Sequence, residues 1–519
     1  MLIFVVNAGS SSLKFALFDD APRLPLVVKG GVSGLPDAAR LRMTDANGAS
    51  MADLRLDEAG VDATVALRRV LTELRARALL DRVGAVGHRI VHGGRTFTTP
   101  TRLDAPTIEA LARLAPLAPL HQPFNLALVA VTQEALPTAA HVACFDTAFH
   151  ATQPRLARVY GLPRGLTDDG VLAYGFHGLS FASIAARLRA RHGPNAGGRV
   201  IVAHLGNGVS LCALAEGRSV ATTMGFSVLD GPPMSTRCGT IDPGVVLHLI
   251  QERRMTLDAV RDLLYERSGL LGVSEISGDM AVLLDSDDRR AQEAVDLFVY
   301  RVAREIGSLA AALEGLDRLV FTGGIGEHAD VIRARICERA AWLGVRVDAT
   351  RNTRADEVIS EDGSAVEVLV VPTDEERVIA EGVRACVSAD AEAAANASVD
   401  AVQSEAVVER LQGHGFIRRG DETVAEIDYD VTFTPGRLRG RGITFEAGAP
   451  GHEPGRGPDI AGRLMGPLFQ AQPFAGEVHT LVLEDGREFD FRVLTPDTNE
   501  ITGVSALRAS AARARANRP

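Results

Sequence analysis

The sequence is poor in the features that mark secreted, membrane-spanning and nucleic-acid-binding proteins. Its cysteines are few, odd in number and without a CxxC pair, which favours reduced thiols in a cytoplasm: Cys144, Cys212, Cys238, Cys337 and Cys386. No apolar run approaches the ~20 residues of a membrane-spanning helix, and the N-terminal "MLIFVV" lacks the basic flank of a signal peptide. A net charge of −11 argues against general binding to nucleic acid or a membrane surface. We therefore expect a cytoplasmic protein that holds any anionic ligand in a local basic site.

The standard phosphate-binding loops are also absent, since neither GxxxxGK[ST] nor GxGxxG occurs. In their place, "NAGSSSLKF" puts small residues between two apolar runs near the N-terminus. A tight turn of small residues presents backbone N–H groups and hydroxyls without obstruction, which suits phosphate oxygens. Asn7, Ser10, Ser12 and Lys14 could supply side-chain contacts there. Taken alone, the stretch could equally be an ordinary polar hairpin turn.

Short apolar runs that end in polar residues recur along the first 380 positions. A chain of 519 residues with a hydrophobic fraction of 46% and a charged fraction of 23% predicts a globular protein of two or three domains. The runs predict buried strands that deliver side chains at their carboxyl ends: "LIFVVNAGS", "VGAVGHRIVHGG", "HVACFDTAF", "RVIVAHLGNG", "RLVFTGGIGE" and "VEVLVVPTDEE". Ala/Leu/Arg-rich stretches with helical spacing lie between them, which indicates an α/β fold.

Two of these stretches echo each other. "VVNAGSSSLKFAL" and "VAHLGNGVSLCAL" (202–214) both read as strand, Gly-containing turn and strand. Chance similarity of two hairpins is one interpretation. The other is that two similar domains, each opening with a hairpin, face each other across a cleft.

The character of the sequence changes after residue 386. Residues 387–405 are Ala-rich and favour a linker or a terminal helix, while 406–503 alternate polar and apolar residues and contain the hairpin signal "EDGRE". We predict a small all-β domain over 406–503 and a disordered tail over 504–519.

Several charged side chains follow the predicted strands. In "GHRIVHGG", the strand period places Arg89 and Val91 on one face, an arrangement that could grip a small carboxylate and enclose its alkyl tail. Asp146 follows a buried run, and Arg237 lies in the turn-rich "STRCGTIDPG". A structural ion pair is an equally good interpretation of Arg89 alone.

Histidines and Gly-rich turns complete the set of candidates. His177 stands beside Phe176 in "YGFHGLS". A lone histidine is more often packed or solvated than catalytic, and this alternative holds for His177, His121 and His204 alike. The turns "HLGNG" (204–208) and "TGGIGE" (322–327) follow apolar runs, and a helix is predicted to begin near His328. The acids of "VPTDEE" (371–376) could orient a hydrated Mg²⁺ or simply begin a helix.

Eight stretches together resemble the acetokinase family, within the actin-like ATPase superfamily, from residue 1 to about 390: "NAGSSSLKF", "GHRIVHGG", "FDTAFH", "YGFHGLS", "HLGNG", "STRCGTIDPG", "GGIGEH" and "PTDEE". They occur in that family's order and at its spacing. The resemblance implies duplicated actin-like (ribonuclease H-like) α/β domains around a cleft. Domain I would cover 1–148, completed by about 377–395, and domain II 149–376, with a linker at 396–405 before the β domain.

The resemblance also implies reversible, in-line phosphoryl transfer from ATP to acetate, giving acetyl phosphate and ADP, in a homodimer. The implied metal is Mg²⁺, with Mn²⁺ as the alternative. Asn7 and Glu375 would place the metal, Arg89 and Arg237 would hold the carboxylate and the phosphoryl group, and His177 would stabilise the transition state. Asp146 would support metal or substrate positioning, and His121 is a further candidate at this centre. The implied acyl pocket comprises Val91, Leu120, Phe176 and Val228. The implied nucleotide site comprises Ser10, Ser12, Lys14, His204, Leu205, Gly206, Asn207, Gly208, Asp279, Gly323, Gly324, Ile325, Gly326 and Glu327.

Some positions depart from the family pattern. Val228 stands in place of a pocket proline, Ser235 in place of glycine, and Ala281 in place of an arginine near the nucleotide, while His328 and Asp374 replace asparagines. These departures leave a propionate or butyrate kinase as an alternative on the same scaffold. A nucleotide-dependent switch protein is the alternative from another class. The β domain could also regulate or localise a kinase.

Overall fold

The computed structural model describes residues 1–9, 12–36, 38–56, 60–403, 409–419, 422–434, 459–465, 479–483, 487–495, 500–503 and 508–509. The chain divides into two compact units, Met1–Ala389 and Asp390–Pro519. In the part of the chain so described, no helix has both the length and the apolar character that crossing a bilayer requires.

The first unit opens with an eight-stranded sheet, which we call lobe I together with its helices. Its strands are β1 (Leu2–Ala8), β2 (Ser12–Asp19), β3 (Leu26–Ser33), β4 (Arg40–Asp45), β5 (Ser50–Arg55), β6 (Val83–Ile90), β7 (Thr101–Arg102) and β8 (Ala140–Phe145), in the order β5-β4-β3-β2-β1-β6-β8-β7. Every residue of β1 is buried, as expected for a strand at the centre of a sheet that is covered on both faces.

A five-stranded sheet forms the core of lobe II. Its strands are β9 (Arg199–Leu205), β10 (Val209–Ala215), β11 (Arg218–Thr222), β12 (Arg318–Thr322) and β13 (Glu367–Val370), in the order β11-β10-β9-β12-β13. The run β3-β2-β1-β6-β8 of lobe I has the same pattern of directions. In both runs the first three strands are antiparallel and the last three parallel. The echo between the two hairpins is therefore structural, and the predicted duplicated α/β fold is confirmed.

Helices cover both sheets. Those of lobe I are α1 (Ala63–Ala76), α2 (Ala105–Ala112) and α3 (Gln122–Ala135). Those that follow are α4 (Arg155–Arg158), α5 (Arg164–Asp168), α6 (Gly178–His192), α7 (Pro243–Gln251), α8 (Leu257–Glu266), α9 (Gly269–Ser274), α10 (Met280–Leu284), α11 (Arg289–Ala312), α12 (Gly323–His328), α13 (Asp330–Arg339), α14 (Ala349–Arg354) and α15 (Glu375–Gln403). Short 3₁₀ turns occupy Leu80–Arg82, Ala115–Leu117, Ala148–Thr152 and Ala341–Leu343.

The long helix α15 returns from lobe II to pack on the sheet of lobe I. Its Ile379 and Val383 join a buried apolar cluster with residues of β1, β6 and β8. Gly87 of β6 permits this approach, because a Cβ there would lie 2.5 Å from Ile379 Cγ2 and 2.7 Å from Val383 Cγ2. The C-terminal end of the first unit thus supports the strands that carry Asn7 and Arg89.

The second unit is an antiparallel β structure. Its strands are β14 (Glu409–Arg419), β15 (Glu422–Thr434), β16 (Asp459–Met465), β17 (His479–Val482), β18 (Arg487–Thr495), β19 (Glu500–Gly503) and β20 (Arg508–Ala509). β17 pairs with both β14 and β18, so the ladder β17-β14-β15-β16-β19-β18 closes into a ring. The small all-β domain is confirmed, and strands β17 and β18 pair across the "EDGRE" segment as the hairpin signal predicts.

Three local predictions differ from the structure. The helix expected near His328 begins at Asp330 as α13, but the Gly-rich stretch before it, predicted as a turn, is itself helical as α12 (Gly323–His328). The linker predicted at 396–405 is helical as far as Gln403, because its Ala-rich sequence extends α15, and 404–405 lie outside the described residues. Of the tail predicted to be disordered, Arg508–Ala509 form β20, and 504–507 and 510–519 also lie outside the described residues.

Arg333 on α13 is a buried residue that links two helices of lobe II by hydrogen bonds. It is 1% exposed and donates to the carbonyl oxygens of Gly326 and Glu327 at 3.0 and 2.9 Å. It also donates to the Asn352 side chain at 2.8 Å and the Asn352 carbonyl at 2.6 Å. The guanidinium thus holds the end of α12 against α14.

We expect Arg333→Ala to lower the free energy of unfolding by about 3 kcal/mol or more, because it leaves several buried carbonyl oxygens without donors. The matched control is Arg335→Ala on the same helix, which removes a part-exposed ion pair with Asp296 and should cost about 1 kcal/mol or less. Urea unfolding of the two variants measures the difference. Equal losses of unfolding free energy in the two variants would contradict this structural role of Arg333.

Candidate active site

The side chains predicted to act together converge at the carboxyl ends of the parallel strands of both lobes. Asn7 lies near the end of β1, Arg89 near the end of β6, and Asp146 directly after β8. In lobe II, His204 lies near the end of β9 and Gly323 follows β12. These residues line one cavity of about 840 Å³ between the lobes. The position agrees with the general rule that α/β sheets bind ligands at the carboxyl ends of their strands.

Arg89 and Asp146 form a buried ion pair in the cavity. Arg89 Nη2 lies 2.6 Å from Asp146 Oδ2, and Nε lies 3.1 and 3.2 Å from the two carboxylate oxygens. Arg89 Nη1 donates to the Ala8 carbonyl at 3.1 Å. Burial lowers the pKa of Arg89, but the Asp146 carboxylate outweighs it, so the net pKa is raised and the guanidinium stays charged. Asp146 acts here as the group that positions Arg89.

His177 is held in an unusual backbone conformation just before α6. Its φ of 56° is left-handed, which is uncommon for a residue other than glycine. The Gly178 N–H donates to the Asp146 carbonyl at 2.9 Å, and His177 Nδ1 lies 2.8 Å from Ser210 Oγ. Because Ser210 occupies Nδ1, it is Nε2 that remains for a ligand.

Burial keeps the imidazoles of the cavity neutral. The pKa of His177 lies well below its usual value, because burial, His204 and the two arginines all disfavour a further positive charge. His204 stacks on His177 with ring centroids 4.5 Å apart, and burial lowers its pKa to about 4. Burial and Arg237 likewise lower the pKa of His121, which lines the cavity, to about 4. His177 can therefore act as a neutral hydrogen-bond donor rather than as a cation.

Arg237 is the second guanidinium of the cavity, contributed by lobe II. Its Nη1 donates to the Val228 carbonyl at 2.9 Å, and no carboxylate in the described part of the chain forms an ion pair with it. Burial lowers the pKa of Arg237 to about 10, so the charge persists at neutral pH but is poorly compensated. A desolvated cation without a counter-charge attracts an anionic ligand strongly.

Gly208 allows His177 and Arg237 to approach one another. A Cβ at this position would lie 2.9 Å from His177 Nε2 and 3.0 Å from Arg237 Nη2. We expect Gly208→Ala to displace both groups and to lower kcat about 10²-fold, since misplacement by about 1 Å has that effect. The protein should remain folded, because the contacted atom of Arg237 ends a flexible side chain.

Steady-state kinetics of Gly208→Ala, with thermal unfolding as the folding check, measure this effect. The control is Gly165→Ala, where an added Cβ meets no atom within 4 Å. Unchanged kcat in Gly208→Ala would show that the two side chains do not need this spacing.

An acidic pair, Glu375 and Glu376, shares Asn7 at the cavity. Asn7 Nδ2 donates to Glu375 Oε2 at 2.9 Å and to Glu376 Oε1 at 2.7 Å. Burial raises the pKa of Glu375, but Arg89, His204 and Asn7 outweigh it, so the net pKa is lowered and this carboxylate is ionised. Burial and the neighbouring Glu375 raise the pKa of Glu376. With its amide nitrogen engaged, Asn7 presents its amide oxygen as a remaining ligand atom.

The remaining predicted residues fall into two sets. Those that line the same cavity are Ser12, Lys14, Val91, Phe176, Gly206, Asn207, Gly208, Val228, Asp279, Gly324, Ile325 and Glu327. Those that do not line it are Leu205 and Gly326, which are buried behind the wall, and Leu120, which is 44% exposed. Leu120 is therefore the poorest candidate for the acyl pocket, since it lies in the loop before α3. Ser10 lies outside the described residues.

Two supporting residues were not among the predictions. Ser210 and Ser180 each contact the Nδ1 atom of a cavity histidine at 2.8 Å, His177 and His204 respectively. Both serines lie inside quoted stretches, and each contacts a histidine of another stretch, so adjacency in the sequence does not reveal the pairing. Glu376, one of the acids of "VPTDEE" predicted to orient Mg²⁺, shares Asn7 with Glu375.

The substituted positions have clear surroundings. Ser235 Oγ donates to the Gly278 carbonyl at 2.8 Å, beside the Arg237 loop. Ala281 lines the cavity together with His328. Asp374 pairs with Arg377 at 3.3 Å.

Two lobes of one topology, with paired guanidinium groups and carboxylates at the strand ends of their shared cleft, define a phosphotransferase of the duplicated actin-like class. The sequence profile of the acetokinase family matches residues 2–381. The chain belongs to the acetokinase family.

Similar proteins agree with this assignment. The acetate kinase of Rhodopseudomonas palustris (strain TIE-1) is 49% identical over 385 residues, 73% of this chain and 96% of that protein. The acetate kinase of Methylocella silvestris is 46% identical over 388 residues, with 73% and 96% coverage. Among solved structures, a propionate kinase from Francisella tularensis has a TM-score of 0.68 at 32% identity, and the Porphyromonas gingivalis acetate kinase has 0.66 at 35%. In both comparisons the matched region spans 74% of this chain and 99% of the solved structure.

Proposed function

We propose that the protein catalyses reversible phosphoryl transfer from ATP to acetate, giving acetyl phosphate and ADP. The observation that carries the proposal is that Arg89 of lobe I and Arg237 of lobe II line one cavity with His177. A phosphoryl group in transfer spreads its charge over three oxygens, so positioning and electrostatic stabilisation do most of the catalysis. Two guanidinium groups and a neutral imidazole donor supply that stabilisation, and direct in-line transfer needs no protein nucleophile.

The acyl group would lie against a small apolar wall. Val91, Phe176 and Val228 are 3%, 1% and 8% exposed and line the cavity near the two arginines. Arg237 contacts the Val228 carbonyl, so the wall and the cation belong to one structure. This arrangement suits a carboxylate with a short alkyl tail, held by charge at one end and by apolar contact at the other.

The nucleotide would enter from the glycine-rich side of the cavity. Gly206, Gly208, Gly323 and Gly324 line it there, and backbone without side chains lets phosphates approach closely. Glu327 fixes one of these turns, since its Oε1 accepts from the Gly323 N–H at 3.0 Å. Lys14, from the opposite lobe, lines the same cavity.

The acidic side of the cavity fits Mg²⁺. Mg²⁺ keeps several waters and usually takes one or two carboxylates together with substrate phosphates. Glu375 supplies an ionised carboxylate and Asn7 an amide oxygen, with Glu376 behind them. No described cluster of three or more His, Cys, Asp or Glu residues forms a metal cage, which agrees with a metal held partly by substrate. When bound, Mg²⁺ would neutralise phosphate charge; Mn²⁺ has the same ligand preferences.

The test is hydroxamate formation from acetate, ATP and Mg²⁺ by the full-length protein. We expect turnover that depends on all three, with a higher kcat/KM for acetate than for propionate. No product from well-folded protein would favour a nucleotide-dependent switch instead. Truncation near residue 400 tests whether the β domain regulates the kinase, since unchanged kinetics would remove support for that role.

A propionate kinase is the second candidate, because Val228 occupies a pocket position and a propionate kinase is among the similar structures. One methylene in an apolar pocket is worth only about 1–3 kcal/mol, so the preference can be shifted by one side chain. A clear preference of the wild-type protein for propionate would overturn the acetate assignment. The matched variant Val228→Ala should move the ratio of kcat/KM towards propionate in either case.

We also propose a homodimer. Helix α7 has no buried residue although it is strongly apolar, and its Val245 and Leu247 are 46% and 55% exposed. Apolar surface of this kind marks protein interfaces. Light scattering should give twice the chain mass, and Leu247→Arg should shift it towards the monomer.

A further inference from the structure

A second cavity, of about 300 Å³, is lined by three arginines. Arg95 lies in the loop between β6 and β7, and Arg155 and Arg158 lie on α4. No aspartate or glutamate lines this cavity. In the described part of the chain, none of the three arginines forms an ion pair, in contrast to the many surface arginines that do.

The arginines are held by backbone contacts that leave their charge uncompensated. Arg95 Nη1 donates to the Asp168 carbonyl at 2.9 Å, and Arg158 Nε donates to the Ala173 carbonyl at 3.3 Å. Burial lowers the pKa of Arg158; nearby Tyr174 opposes this shift, and the charge of Arg95 adds to it. Arg95 and Arg155 are exposed and Arg158 is half-buried, so solvent screens part of the repulsion between the three positive charges. A bound anion would offset the rest of that repulsion.

Hydroxyl groups complete the cavity. Thr147 and Thr167 line it and are 5% and 6% exposed. Thr147 Oγ1 accepts from the Gly93 N–H at 3.0 Å, which leaves its own hydrogen available to a ligand. Buried hydroxyls beside guanidinium forks are the donors that oxyanions require.

We propose that the cavity lined by Arg95, Arg155 and Arg158 is a second ligand site, which binds a small multivalent oxyanion such as phosphate. The cavity has room for phosphate or for a short dicarboxylate, and the shared chemistry is two or more negative charges on compact oxygens. The site is distinct from the catalytic cleft, since its lining residues and those of the cleft do not overlap.

The experiment is calorimetric titration of full-length protein with inorganic phosphate, made in an Arg237→Ala background so that the catalytic cleft is weakened. We expect one phosphate per chain to bind, and Arg158→Gln or Arg95→Gln added to that background to weaken it at least about tenfold. The matched control is added Arg113→Gln, which removes an exposed arginine paired with Glu109 and should leave the affinity unchanged. Arg155→Gln serves as a further variant at an exposed position if either of the others fails to fold.

Parallel titrations with succinate distinguish a phosphate site from a dicarboxylate site, and binding of either supports the proposal. Chloride and acetate, with one charge each, should compete poorly at equal ionic strength. No heat from phosphate or succinate in the Arg237→Ala background would overturn the proposal. An affinity that none of the three cavity variants changes would overturn it equally. Because the titrations do not use turnover, their outcome is independent of the proposed reaction.

Discussion

Arg237→Ala is expected to lower kcat by roughly 10³-fold while the protein remains folded, because the loss of one preorganised electrostatic donor has an effect of this order. Arg237 is buried, and in the described part of the chain no carboxylate forms an ion pair with it, so its charge is directed at a ligand rather than at the protein. An interaction made mainly in the transition state changes kcat more than it changes the KM for ATP.

The measurement is hydroxamate formation under saturating ATP, with circular dichroism as the check on folding. Arg237→Lys is the informative companion, since it keeps the charge but loses the planar fork that matches phosphate oxygens, and it should recover only part of the activity. Arg335→Ala, on the surface of α13, is the control for removal of an arginine elsewhere in lobe II. Near-normal turnover by Arg237→Ala would exclude the proposed role.

Arg89 and Arg237 differ in a way that sharpens this expectation. Arg89 donates to both carboxylate oxygens of Asp146, whereas the Arg237 side chain donates, among the described residues, to the Val228 carbonyl oxygen. Removal of Arg89 would leave Asp146 as a buried carboxylate without its partner, which is strongly destabilising. Arg237→Ala removes a buried charge and leaves no buried carboxylate without a partner among the described residues. The loss of activity in Arg237→Ala can therefore be attributed to the missing group itself.

The strand framework and most of the cleft could be predicted from the sequence. Buried parallel strands read as continuous apolar runs, and each run ends where the chain reaches the cleft, so Asn7, Arg89 and Asp146 could be placed by adjacency alone. The duplicated hairpins were visible because both turns need small residues. Leu120 shows the limit of this reasoning: the loop before α3 has no periodicity to indicate which side chains face the cavity, and Leu120 is 44% exposed.

The sequence could not reveal the electrostatic character of the cleft. Whether His177 is a cation or a neutral donor depends on burial and on the nearby arginines, which are contributed by distant parts of the chain. The arginine-lined cavity has the same origin, since Arg95 and Arg158 are 63 positions apart and belong to no motif. The glycines at 323 and 324 predict a turn, but the stretch forms α12, because Glu327 accepts from the Gly323 N–H and stabilises the helix there.

The second large effect expected is a steep loss of stability in mild acid, caused by buried neutral histidines. His88, His92 and His150 are 2%, 0% and 1% exposed. Burial lowers the pKa of His88 to about 3, and those of His92 and His150 to about 4. Their hydrogen bonds agree with the neutral form. His92 Nδ1 accepts from the Gly94 N–H at 2.8 Å, and His150 Nε2 donates to the Phe176 carbonyl at 2.9 Å.

The direction of the pH effect follows from proton binding. The ordinary pKa of histidine is about 6.5, so below that pH the unfolded chain binds protons at these positions and the folded protein does not. The free energy of unfolding therefore falls as the pH falls from 6.5 towards 4. Each such histidine contributes about 1.4 kcal/mol per pH unit once the unfolded form is fully protonated, and the three together about 4 kcal/mol per pH unit. The stability from these groups is fully retained only about one pH unit or more above 6.5, where both states are neutral at these positions.

Urea unfolding at pH 7.5, 6.5, 5.5 and 5.0 measures the slope of stability against pH. His150→Gln should reduce that slope by about one proton, because glutamine can keep a hydrogen bond to the Phe176 carbonyl but cannot titrate. Two outcomes would contradict this prediction: a flat slope between pH 6.5 and 5, or the same slope in His150→Gln as in the wild-type protein. Either would show that the buried imidazoles take up protons as readily in the folded protein as in the unfolded chain.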